Sequence, residues 1–139
     1  MKTIQTGSGP FMVATTLPPA TTTPATFDSD ALKGNVVYVS GDGHVDLALG
    51  TGYPQSLAIG LATADTLAGN DGEVITSGPF NNEAWSLTPG TVYYLSPSSP
   101  GGMTDTFPST VGDHVIILGA ALTPTQLKID IHWALIIGS

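Results

Sequence analysis

The side chains able to do acid–base or metal chemistry in this chain are three histidines, His44, His114 and His132, and eleven acids. No two histidines stand at the short spacing by which one element offers two metal ligands. His44 follows a turn glycine, His114 opens an apolar run, and His132 shares a polar strand face with Lys128 and Asp130. All three read as surface or strand-end residues. Asp28-Ser29-Asp30 begins like a calcium loop, but Lys33 stands where that loop needs glycine and no closing glutamate follows. It reads as a turn. A glycosidase needs two facing carboxylates, whereas Asp42, Asp71, Asp105 and Asp113 lie in or beside turns, where aspartate bonds its own backbone. There is no Gly-x-Ser-x-Gly, no glycine followed by Lys-Ser/Thr, and no cysteine for a nucleophile, a thiolate site or a disulfide. The expectation is a protein that is not an enzyme, with no cofactor and no metal.

The large aromatics, Tyr38, Tyr93, Tyr94, Trp85 and Trp133, fall mostly on strand-like stretches, where core or interface roles are commoner than sugar platforms. Trp133 sits inside an apolar alternation and is expected in the core or at a subunit contact. Tyr93 and Trp133 are the candidates for a subunit interface.

Composition narrows the partners. The chain has three lysines (Lys2, Lys33, Lys128), no arginine and a net charge of −8, and only 10% of its residues are charged; soluble domains carry about 25%. Nucleic-acid binding draws on lysine and arginine to displace counterions from phosphates, and three scattered lysines make no patch. An anionic membrane surface is disfavoured on the same ground. Ala134–Ile137 is far too short an apolar run to span a bilayer, and Met1–Pro10 has no apolar stretch of the signal-peptide kind. A soluble chain is expected, binding neither nucleic acid nor membrane.

The elements come from periodicity. Residues 35–39, 44–49, 57–62, 73–78, 91–95 and 113–122 read as short strands, punctuated by turns such as Gly41-Asp42-Gly43 and Thr88-Pro89-Gly90. The last strand is the clearest. Leu127, Ile129, Ile131, Trp133, Leu135 and Ile137 alternate with Lys128, Asp130, His132, Ala134, Ile136 and Gly138. The prediction is an all-β fold, a single β-sandwich or barrel of about seven to nine short antiparallel strands over residues 33–139.

Residues 1–32 differ. They hold eight threonines and four prolines, and Leu17-Pro18-Pro19 cannot be helical. They also carry apolar side chains that disordered tails usually lack. The expectation is a long extended N-terminal arm that grips partners through Phe11, Met12, Val13, Leu17 and Phe27.

A resemblance sharpens the function. Leu87-Thr88-Pro89-Gly90-Thr91-Val92-Tyr93-Tyr94-Leu95-Ser96, then Pro100-Gly101-Gly102, then the strand ending at Gly119, then Leu127-Lys128-Ile129-Asp130-Ile131 resembles a small β-domain that recurs in structural proteins of tailed bacteriophages, among them capsid cement (decoration) proteins and tail fibres. It covers roughly Asn35 to Ile131. No stalk or repeat accompanies it here, which favours a cement protein, and the chain looks similar to the trimeric cement proteins of cyanophage-like viruses. The resemblance implies a homotrimer on the outer surface of the virion capsid, with the major capsid protein as partner and the head stabilised against its packed genome. The alternative it leaves is a tail-fibre or tail-tip receptor-binding module. A small enzyme acting on surface polysaccharide ranks behind both.

Overall fold

A computed structural model of the chain describes residues 19–137. Nine strands make up one antiparallel sheet, curled into a half-barrel, with no helix among the described residues. In chain order they are β1 (Thr21–Thr26), β2 (Val36–Val39), β3 (Val45–Leu47), β4 (Ala58–Ala62), β5 (Asp71–Asn81), β6 (Val92–Leu95), β7 (Met103–Thr104), β8 (His114–Thr123) and β9 (Gln126–Ile136). Their spatial order is β3-β2-β4-β5-β9-β8-β6-β7, with β1 added to β5. The all-β expectation and the strand number hold.

Two apolar clusters hold the sheet. The larger joins Val36, Leu61, Ile75, Leu95, Leu118, Leu127 and Ile129, among others, on one face. The smaller joins Phe27, Ala31, Val37, Val45, Ala62 and Val74. Neighbouring residues divide between them: Val36 and Val37, Leu61 and Ala62, Ile75 and Val74. Successive strand residues point to opposite faces, so this part of the sheet is buried on both. Residues 25–31 cover the second face.

That covering corrects the boundary expected at residue 32. Thr21–Thr26 pairs with β5 from Ser77 to Asp71, and the N–H of Phe27 donates to the carbonyl of Asn70 at 3.0 Å. Phe27 is not an arm residue free to grip a partner. It is 1% exposed, inside the chain's own second cluster, and bridges Val45. An aromatic ring gains more from that closed pocket than from water. Phe11, Met12, Val13 and Leu17 lie outside the described residues.

The terminal strand also departs from simple alternation. Leu127 and Ile129 are buried as expected, but Trp133 is 58% exposed. From Ile129 to His132 the strand advances three residues while β8 advances two, from Gly119 to Ile117; a second shift separates Trp133 from Leu135. Each extra residue is a bulge that turns the following side chains to the other face. The strand over 73–78 is longer than its apolar pattern suggests, because Asp71–Asn81 bridges both halves of the sheet, pairing with β1, β4 and β9.

Candidate functional site

The described surface has two places where functional groups converge. The first joins the hairpin β2–β3 to the segment after β1. His44 Nδ1 lies 2.9 Å from Asp28 Oδ1 and 3.2 Å from Asp42 Oδ2. The Ser40 hydroxyl lies 2.6 Å from Asp28 Oδ2 and 2.7 Å from Asp42 Oδ1, its single proton shared between them. The Asp42-Gly43 turn brings Asp42 back beside His44, whose N–H it accepts at 3.0 Å. The N–H of Asp28 donates to Val45, which sets Asp28 against the hairpin.

The ligand atoms of Asp28, Asp42 and His44 lie within 4.8 Å of one another, which is metal-like spacing. Each of the carboxylate oxygens, however, already lies within 3.2 Å of a donor, the Ser40 hydroxyl, the imidazole or the His44 N–H. The arrangement works as a staple held by a proton. The hydrogen bond to Asp28 raises the His44 pKa, burial opposes it, and the charges of Asp42, Asp28 and Asp71 add to the rise. The Ser40 hydroxyl and then the His44 N–H lower the pKa of Asp42. A histidine whose folded pKa is raised stabilises fully below its unfolded value of about 6.5, and loses that contribution as pH rises through the raised value. Thermal melts of wild type and His44→Gln should therefore differ most below pH 6.5 and converge above the raised value, modestly because the site is solvent-exposed. A gap independent of pH would remove the staple.

The second place is a groove between the Gly50–Ser56 loop and the end of β9, ≈ 240 Å³, lined by Tyr53, Leu57, His114, Ile116, Trp133, Ala134 and Ile136. Its rims are aromatic: Tyr53 is 62% and Trp133 58% exposed. The Trp133 indole N–H donates to the carbonyl of Ala58 at 2.9 Å, which fixes the ring's tilt. Of the lining residues, His114 has its Nδ1 2.5 Å from the buried Ser56 Oγ, and the Tyr53 ring leans on the imidazole at 4.5 Å between centroids.

Ser56, His114 and the adjacent Asp113 have the residue types of a hydrolytic triad but not its geometry. Ser56 is 0% exposed, so no substrate carbonyl reaches its hydroxyl. The Asp113 carboxylate accepts from the N–H of Thr110 instead of orienting the imidazole. The pair closes the loop onto β8. It joins residues far apart in the chain, which no local motif announces.

The other candidates sort plainly. His132 is exposed beside Asp130, 3.2 Å away. Tyr93, expected as a possible interface residue, is buried in the larger cluster, and its hydroxyl accepts from the N–H of Thr88 at 2.9 Å. That bond closes the Thr88-Pro89-Gly90 turn, so Tyr93 acts within its own chain. Trp133 keeps an exposed face available to a partner. No protein-family model and no curated protein sequence matches the chain.

Proposed function

We propose that the chain is a virion structural protein, a capsid cement protein that binds the outer face of a tailed-phage head as a homotrimer and staples capsomers against the packed genome. The observation that carries this reading is where the recurring phage-domain residues fall. Leu87, Tyr93, Leu95, Leu127 and Ile129 pack into one cluster, and Gly90 and Gly101 occupy turns at positive φ. The motif is thus a way of building a body, as expected for a domain reused at several virion positions. An acidic exterior suits the outside of the head, since the inside would set −8 per chain against DNA. Many modest contacts, repeated around a lattice, give retention through avidity.

The exposed Tyr53 and Trp133 favour a second reading, a receptor-binding module of the tail, because paired aromatic rims suit a surface ligand. Copy number separates the two. Quantitative mass spectrometry of purified virions is expected to give this chain in near-equal amount to the major capsid protein. A handful of copies per particle would sink the cement reading and leave the tail module.

A further inference from the structure

Strand β9 changes character at Asp130. Up to that residue it pairs with β5 on one side and β8 on the other. From Ile131 to Ile136 its only strand partner among the described residues is β8. Among the described residues these six therefore have no ladder partner on that side, where the Trp133 indole reaches across to the Ala58 carbonyl of β4; the unpaired backbone is a template for pairing with another extended chain. Most proteins blunt such an edge with lysine, proline or a covering loop. This one is twisted by the two bulges and borders the groove rimmed by Tyr53 and Trp133, with Ile136 exposed beside it.

The sequence contains a segment that matches this edge in length, chemistry and charge. Between Pro10 and Pro18 lies Phe11-Met12-Val13-Ala14-Thr15-Thr16-Leu17, seven residues free of proline, glycine and charge. Proline cannot donate to a ladder, so the flanking prolines would bound any strand formed by these residues at about the length of that edge. Aromatic and β-branched residues suit strand geometry, and alternation places Phe11 and Val13 on one face. Residues 1–18 contain Lys2 and no acid, whereas every one of the eleven acids lies from Asp28 onward, against Lys33 and Lys128. Two such acidic bodies repel; this segment is the part of one copy that approaches another with no like-charge cost.

Direction decides which copy donates it. Both Thr21 and Asp130 are in register with Ser77, and β1 and β9 both run antiparallel to β5. Upstream of Thr21 the chain heads past Gly78, where Pro19 and Ala20 lie. The open edge runs from Ser77 the opposite way. Docking Phe11–Leu17 on its own edge would need a sharp reversal, at a point where Pro18-Pro19 enforces extension.

We propose that residues 11–17 of a neighbouring copy add as a strand to the open edge Ile131–Ile136, seating Phe11 and Val13 in the Tyr53–Trp133 groove. Main-chain bonds supply the ladder and the groove selects alternate side chains. The proposal rests only on the self-association part of the reading above. Its test uses no capsid, so its failure and that of the cement reading are distinct.

The chain has no cysteine, which makes disulfide trapping clean. Full-length Val13→Cys and Ala134→Cys, tagged differently, would be mixed, oxidised and resolved by mass. Directly opposed strand residues lie within disulfide reach. The expected result is a linked pair of unlike copies, in about tenfold or greater excess over Val13→Cys mixed with Val39→Cys, whose site is exposed but at the other end of the sheet. As a check that needs no cysteine, Val13→Ser should weaken self-association measured by sedimentation about tenfold, the loss from one buried aliphatic side chain. No excess over the Val39 control, together with unchanged sedimentation, overturns the proposal. So does faster closure within a dilute doubly substituted chain than between copies, which would assign the groove to the chain's own segment.

Discussion

Phe27→Ala should cost about 3–5 kcal/mol, the range for removing a buried phenylalanine ring. The ring is 1% exposed and packs with Val37, Val45, Ala62 and Val74 on the second face of the sheet. Two backbone features also depend on how the ring seats this segment. Phe27 bridges Val45, so it helps seat the hairpin β2–β3. Its backbone also connects β1 to Asp28, which completes the staple with Ser40 and His44. The cavity cannot collapse easily, because β1 and β4 flank β5 as strands in the same ladder. Urea melts of the full chain would show the change as a fall in midpoint at unchanged slope. A loss under about 1 kcal/mol, the scale of an ordinary surface change, would return residues 19–32 to the status of an appended arm.

This residue also shows what could be read in advance. The strands were legible because their apolar runs are short and bounded by Gly, Pro and Asp. The all-β class followed. What stayed hidden was the second buried face. Val36-Val37, Leu61-Ala62 and Val74-Ile75 are adjacent apolar pairs in which both members are buried. Consecutive apolar residues in a strand signal burial on both sides, and a sheet buried on both sides needs a cover. The cover was available only in residues 25–31, which the Thr/Pro composition of the preceding stretch disguised. Pro24 sits within β1, as an edge strand permits.

The candidate site was less legible for a different reason. Asp28, Ser40, Asp42 and His44 were each visible as turn or strand-end residues, but their convergence depends on Phe27 seating the segment against the hairpin. The groove depends on two bulges in β9. A strict two-residue period sends Trp133 inward with Leu127 and Ile129; the first bulge, between Ile129 and His132, adds a residue and reverses that sense, so the ring emerges at the surface. Bulges are set by pairing partners, and a single strand's periodicity carries no trace of them.

Gly119→Ala should destabilise the chain about 2–6 kcal/mol, combining a strained backbone with an intrusion into a packed ladder, each about 1–3 kcal/mol. Gly119 has φ 154° and lies mid-ladder, opposite Tyr93 on one side and Ile129 on the other. An added Cβ would run into the carbonyl oxygen of Lys128, backbone that cannot swing aside without breaking the β8–β9 pairing. Gly90→Ala separates the two contributions. Gly90 has φ 82° with nothing near its missing Cβ, so it should lose only the about 1–2 kcal/mol of a left-handed L-residue. Both glycines belong to the stretches on which the proposed function rests, which lets the pair of variants decide what those stretches do. If they form the body, stability falls in the order Gly119 then Gly90, and variants that still fold keep the self-association measured by sedimentation. If Gly119→Ala instead leaves the melt unchanged and abolishes that self-association, the motif is a contact surface rather than a framework, and the interface belongs at the β8–β9 ladder instead of the groove at its end.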